Sequence, residues 1–161
     1  AMEMAKGNNV EAKRYIAKAT AINANSAEAN INLGLMALQE GDLNAAEGYI
    51  AKGTGASGYA EALGNLHLAQ GNYAQAERDF GKVSSNSAAL AQILNKNYAA
   101  AATTLNNVKN ADAMTSYLKA VLNARQGNNT EAAAALRTAV AKDASLARYA
   151  AADLELRNIS K

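Results

Sequence analysis

Small and large apolar residues recur along the chain at the spacing of one helical turn. A six-residue block occurs five times, at intervals of 34, 30, 25 and 31 residues. Each copy begins with Gly or Lys, continues with Asn or Asp, and ends in Ala. Four positions after each final Ala stands a larger apolar residue, namely Ile16, Ile50, Phe80, Leu105 and Leu136. Because residues four apart lie on one face of a helix, every copy predicts a helix with one small and one large contact residue.

The start of each block predicts a turn between two helices. Gly adopts the left-handed backbone conformation that ends many helices, and the Asn or Asp after it can accept hydrogen bonds from the next helix. The pairs Leu33-Gly34 and Leu63-Gly64 each precede such a turn by one helical stretch. Since Gly inside a helix costs about 1 kcal/mol relative to Ala, its repetition predicts close contact between two helix backbones.

These patterns predict an all-α chain of helical hairpins. Second helices are expected at 9–22, 43–52, 73–83, 98–108 and 129–142, first helices at 27–40, 57–70, 87–95 and 111–126, and a last helix at 146–158. The composition agrees, because 41 of the 161 residues are Ala, the strongest helix former, and Pro is absent. Val, Thr and aromatic residues are too sparse for a sheet of any size.

In these features the chain resembles the tetratricopeptide repeat (TPR) family, whose repeats combine a Leu-Gly pair in the first helix, a Gly turn, and an Ala followed by a bulky residue in the second. The resemblance covers nearly the whole chain and implies a right-handed α-α superhelix, or solenoid, of hairpins. The repeats are degenerate. Asn30 and Ala60 stand where the family has an aromatic residue, and the Pro between repeats is missing.

The chain is interpreted as a single TPR-like array over residues 1–161. Its expected parts are a partial first repeat at 1–26, repeats at 27–56, 57–86, 87–110 and 111–144, and a C-terminal capping helix within 145–161. Because the first hairpin lacks a beginning, we expect the sequence to be the C-terminal part of a larger bacterial protein.

Charge and composition narrow the classes of partner. The net charge of +2 comes from 16 basic and 14 acidic residues spread along the chain, so no clustered basic face for nucleic acid is expected. Cys is absent, which excludes disulfides and Cys-ligated metals. No segment has the apolar length of a membrane span, so we expect no direct membrane insertion by this segment and no cofactor.

Two features invite a chemical interpretation. Residues 53–58 match G-x-G-x-x-G, but that motif binds dinucleotides only after a β-strand. Here it falls between two helices, which favours a loop. His67 is the sole histidine and stands where the family packs a Tyr between helices, so a structural role is favoured over a catalytic one. Nothing forms a Ser-His-Asp or paired-carboxylate constellation, and an enzyme is not expected.

The family places the partner-binding groove on the first helices. The resemblance therefore predicts as groove residues Ile31, Leu35, Leu38, Asn65, Leu68, Tyr117, Val121 and Arg125. Ile31, Leu35 and Leu38 share one helical face, which would form an apolar docking strip if it is exposed. The alternative is that an Ala-rich array buries these residues between repeats. A clamp for a C-terminal carboxylate is not expected, because Asn65 fits its pattern but Ile31, Leu35 and Glu61 do not.

The leading hypothesis is a protein–protein interaction scaffold that binds a peptide or partner protein through the helical-repeat groove. The alternative is a structural spacer or self-association arm of a larger cell-envelope protein or enzyme. The absence of Cys and the 19 Asn residues favour the bacterial periplasm or cell envelope as the location.

Overall fold

A computed structural model describes residues 26–153 and 156. This part of the chain contains nine α-helices and no β-strand, which confirms the predicted all-α class. The helices are α1 (Ala27–Gln39), α2 (Leu43–Ala51), α3 (Tyr59–Ala69), α4 (Tyr73–Phe80), α5 (Asn86–Leu94), α6 (Tyr98–Asn106), α7 (Ala113–Arg125), α8 (Asn129–Lys142) and α9 (Leu146–Ala152). The helix predicted at 9–22 lies outside the described residues.

The chain divides into two compact units, Ala1–Gly81 and Lys82–Lys161. In unit 1, α1 packs on α2 and α3 packs on α4, and α3 also contacts both helices of the preceding hairpin. In unit 2, α5 pairs with α6 and α7 with α8, while α7 contacts α5 and α6 and α9 contacts α8. Each unit is thus a stack of helical hairpins. The division of residues 1–161 into repeats at the boundaries given above stays a prediction.

Four turns of one type join the helices of these hairpins. The turn residues Gly41, Gly71 and Gly127 have φ angles of 78°, 80° and 80°, as predicted for left-handed helix ends. In each turn the next residue donates its backbone N–H to a carbonyl five positions earlier, as from Asp42 to Ala37 at 2.9 Å. This bond and the one from the turn residue itself form a Schellman motif, which satisfies carbonyls at the helix end.

The third hairpin makes the same turn with Lys96 in place of Gly. Lys96 has a φ of 63°, and the N–H of Asn97 bonds to the carbonyl of Gln92 at 2.8 Å. A side chain with a Cβ is strained in this region of backbone space. The Schellman hydrogen bonds therefore impose the left-handed conformation on a residue that disfavours it.

The predicted close contact of helix backbones occurs in both hairpins of unit 1. A Cβ on Gly34 would lie 2.5 Å from Cγ1 of Ile50, and a Cβ on Gly64 would lie 2.8 Å from the ring of Phe80. Ala46, one turn before Ile50, is completely buried. The large residue of each second helix therefore occupies the space that a side chain on the first helix would need.

Unit 2 repeats this pattern with Ala in place of Gly. Ala89 and Ala120 precede their turn residues by the same seven positions as Gly34 and Gly64, and both are completely buried. They belong to one core cluster with the second-helix residues Leu105 and Leu136. A methyl group is tolerated in these hairpins, which have a Leu at the position of Ile50 or Phe80.

Two helices end three or more residues earlier than predicted, and the other described helix ends lie within two residues of their predicted positions. The expected helix 73–83 stops at Phe80, because Gly81 takes a φ of 57° and leaves the helical conformation. The expected helix 146–158 stops at Ala152, since Asp153 is extended, with a ψ of 123°. Leu156 lies in a turn and is completely buried in the core of unit 2.

The glycine contacts predict opposite effects for one substitution at two helical positions. Gly64→Ala should destabilise the chain by about 1 to 2 kcal/mol, because overpacking against Phe80 outweighs the gain in helix propensity. Gly48→Ala in α2 should stabilise it by about 0.5 to 1 kcal/mol, because a Cβ there meets nothing within 4 Å. Urea denaturation followed by circular dichroism checks both. Equal effects at the two positions would contradict the packing described.

The strained turn generates a second prediction. Lys96→Gly should raise the free energy of unfolding by about 0.5 to 1 kcal/mol, since relief of left-handed strain exceeds the extra entropy of Gly in the unfolded chain. The matched control is Gly127→Lys, which should lower the stability by a similar amount. Thermal unfolding of both variants measures the difference, and a neutral or destabilising Lys96→Gly would show that the turn is not strained.

Candidate functional site

A cavity of about 410 Å³ lies between α1 and α3 in unit 1. Its lining residues come from α1, α3 and the segment before α3, namely Glu28, Ile31, Asn32, Leu35, Ala56, Ser57, Gly58, Glu61, Ala62 and Asn65. We call this space the first-helix cavity. It is formed by first helices, on which the resemblance to the repeat family predicts the groove.

The two helical walls of the first-helix cavity carry the same order of side chains. On α1 the order is Glu28, Asn32 and Leu35, at four- and three-residue spacing, and on α3 Glu61 is followed four positions later by Asn65. Residues with this spacing share one face of a helix. A carboxylate therefore lies in the first turn of each wall, and an amide one turn further along.

The floor of the first-helix cavity depends on glycines in the segment between α2 and α3. A Cβ on Gly53 would lie 2.2 Å from Cδ1 of Ile31, and a Cβ on Gly58 would lie 3.6 Å from its Cγ2. Ile31 is buried beneath this segment, with 5% of its surface exposed. The G-x-G-x-x-G stretch is thus a loop, as predicted, and Gly53 gives Ile31 room to pack.

The cavity brings together three of the eight predicted groove residues, Ile31, Leu35 and Asn65. Leu38 and Leu68 are half-buried on α1 and α3 but do not line it. Ile31 is buried, as the alternative interpretation holds, whereas Leu35 and Asn65 keep part of their surface accessible. The use of these residues to bind a partner stays a prediction.

The other three predicted groove residues belong to unit 2. Tyr117 is 9% exposed and donates its hydroxyl to Oδ2 of Asp153 at 2.9 Å. Val121 is buried in the same core cluster as Tyr117, together with Leu156. This part of α7 is therefore covered by the chain itself, which helix periodicity alone does not reveal.

Arg125 is the third of these residues, and it joins two helices of unit 2. Its Nη1 donates to the backbone carbonyl of Ile93 at 3.1 Å, in the last turn of α5. The same carbonyl also accepts the backbone N–H of Lys96 at 3.0 Å, so Arg125 adds a second hydrogen bond to it. The positive charge of Arg125 interacts favourably with the negative end of the helix dipole. The contact accounts for Arg125 as a structural link between α7 and α5.

His67 takes part in a polar network between α3 and α4. Its Nδ1 hydrogen-bonds to Oδ2 of Asp79, and Asp79 also accepts a bond from Nε2 of Gln75 at 2.9 Å. The Asp79 side chain is 8% exposed, so these bonds compensate for its burial. The network holds the hairpin together, which is the structural role predicted for His67.

A second cavity, of about 660 Å³, lies beside the N-terminus of α5 in unit 2. Two of its polar side chains, those of Ser85 and Asn86, already serve the fold. The Ser85 hydroxyl accepts the N–H of Ala88 at 3.1 Å, and the Asn86 amide donates to Asp112 at 3.1 Å. Bonds from the backbone N–H of Thr115 and from Asn86 hold the pKa of Asp112 below its ordinary value. This network links the starts of α5 and α7.

A metal site and a membrane-spanning helix each have requirements that the described residues do not meet. Among them, no group of three or more His, Cys, Asp or Glu side chains could hold a metal ion. None of the helices in this part of the chain has the length and apolar character needed to cross a membrane.

Sequence reasoning missed several residues of the first-helix cavity. Glu28 and Asn32 follow the same helical spacing as Leu35, so a search for polar residues beside the apolar stripe finds them. Ala56 and Ser57 could not be found in this way, because their position depends on the path of the loop between α2 and α3.

Comparison with protein families gives a match over part of the chain. A model of the tetratricopeptide repeat matches residues 3–61, a range that includes α1, α2 and the first residues of α3. Searches of curated proteins and of solved structures give no match. The match thus includes one helical wall of the first-helix cavity and its loop.

Proposed function

Since the chain belongs to the tetratricopeptide-repeat family, whose repeats are generally protein-interaction modules, we propose that unit 1 binds a peptide segment of another protein in the first-helix cavity. The observation that carries the proposal is the cavity itself. In the part of the chain that the structure describes, it combines an apolar floor with two walls whose polar side chains have no hydrogen-bond or ion-pair partner, on the helices where the resemblance predicts the groove.

The size and lining of the cavity support a peptide as the ligand. A volume of about 410 Å³ lies within the range of ligand sites and accommodates a few side chains. Leu35 supplies accessible apolar surface, while Asn32 and Asn65 can both donate and accept hydrogen bonds. In the described part of the chain these two amides have no hydrogen-bond partner, so their groups are available to a peptide backbone.

The same lining argues against other classes of ligand. Glu28 and Glu61 are both exposed and would repel the phosphates of a nucleic acid. The residues that line the cavity include no nucleophile hydrogen-bonded to a general base, so the proposal assigns the chain no catalytic step.

A substitution that fills the first-helix cavity tests this proposal. A phage-displayed library of random dodecapeptides is selected on the whole chain, and the selected peptides are then measured against two variants. Asn32→Trp places a large ring in the cavity from an exposed position and should weaken binding at least tenfold. Asn44→Trp makes the same change at an exposed position of α2 outside the cavity and should leave binding within twofold.

Two results would contradict the proposal. One is a selected pool that binds Asn32→Trp as well as it binds the native chain. The other is the absence of any selected peptide together with dimerisation in light scattering, which would support the alternative of a self-association arm. Circular dichroism of both Trp variants controls for a loss of helix.

A further inference from the structure

We infer that the first-helix cavity selects a basic peptide segment, in which a Lys or Arg side chain lies close to an aliphatic one. The inference rests on the proposed function and adds the chemistry of the ligand. It follows from the distribution of charge in unit 1 and from the order of the side chains along α1 and α3.

The described part of unit 1 is acidic, although the whole chain is not. Residues 26–81 contain seven Asp and Glu and two Lys and Arg, for a formal charge of −5, against +2 for residues 1–161. The two cations are Lys52 and Arg78, and neither lines the first-helix cavity. Arg78 donates its Nη2 to Oε1 of Gln75 at 3.1 Å. Over the whole of unit 1, nine Asp and Glu against six Lys and Arg leave a formal charge of −3, so a basic ligand meets an attractive field.

Glu28 and Glu61 are the charged groups of the described cavity lining. Both side chains are exposed, and in the part of the chain that the structure describes neither is paired with a cation. They lie in the first turns of α1 and α3, so the negative charge is concentrated at the end of the cavity where these two helices begin. A cationic side chain placed there forms charge-assisted hydrogen bonds with one or both carboxylates.

Apolar surface lies further along the same walls. Leu35 stands seven residues after Glu28, which is two turns along α1, or about 10 Å. An extended peptide covers that distance in about three residues. The geometry therefore favours a ligand whose aliphatic residue is separated from its cationic residue by no more than about three positions.

The glutamates also have a structural role. A carboxylate in the first turn of a helix interacts favourably with the helix dipole, whether or not a ligand binds. Glu131 provides a matched control, because it is exposed in the first turn of α8 and lies outside the first-helix cavity. Glu131→Gln removes the dipole interaction without changing the proposed site.

The test uses the same random dodecapeptide library and sequences the peptides whose binding Asn32→Trp abolishes. We expect Lys and Arg to be enriched at least threefold over the starting library, with an aliphatic residue within three positions. The affinity of the selected peptides should fall about tenfold on the double variant Glu28→Gln/Glu61→Gln, since two partly exposed ion pairs are lost. Glu131→Gln should keep the native affinity.

The outcomes separate this inference from the proposed function. A pool that depends on the cavity but is neutral or acidic, or that binds the double variant at native affinity, overturns the inference and leaves the function standing. A pool whose binding does not depend on Asn32 overturns the function. Dimers of the native chain that dissociate in the double variant would make the occupant a second copy, and would also overturn the inference. The composition of the native pool decides the matter even if the double variant unfolds.

Discussion

The packing of the hairpins in this protein depends on one kind of contact. A large side chain of the second helix packs against a small residue, Gly or Ala, of the first helix. In unit 1 the ring of Phe80 and the branched chain of Ile50 lie where Gly64 and Gly34 have only hydrogen. The completely buried Ala one turn earlier lets the two helices approach along their length. Without this close approach neither the three-residue turns nor the stacking of hairpins within a unit would be possible.

This contact also determines which residues remain for function. The helical face that carries Gly34 is covered by α2, so Glu28, Asn32 and Leu35 lie on another face of α1. The stacking of α3 beside α1 places Glu61 and Asn65 across from them, and the loop around Ile31 closes the floor. The candidate site is thus a consequence of hairpin packing, and in the described part of the chain its two asparagine amides have no hydrogen-bond partner.

Much of the fold could be predicted from spacing alone, because the requirements are local. A Gly before Asn or Asp implies a turn between two helices. A small residue with a large one four positions later implies a close helix contact, and both features occur where the pattern repeats. Lys96 shows that the turn persists even where the favoured residue is missing, since the Schellman hydrogen bonds remain. The helix contact also persists when its small residue changes. Ala89 and Ala120 stand in place of Gly, and they pack in one core cluster with Leu105 and Leu136.

The candidate site was less accessible to sequence reasoning because it depends on contacts between distant residues. Tyr117 follows the spacing of a groove residue, yet its hydroxyl binds Asp153 and its ring is buried. Ile31 lies under a loop whose path depends on Gly53. The balanced charge of the whole chain concealed the acidic character of residues 26–81, which becomes evident only when the charges are counted within unit 1.

If the walls of α1 and α3 receive a peptide, as proposed, the side-chain amides of Asn32 and Asn65 report its binding directly. The decisive measurement is an NMR titration of the ¹⁵N-labelled chain with a peptide selected from the library. We expect the side-chain amide resonances of Asn32 and Asn65 to shift with one common dissociation constant, while that of Asn44 on α2 stays in place. Shifts at Asn44 with none at Asn32 and Asn65 would contradict the proposal.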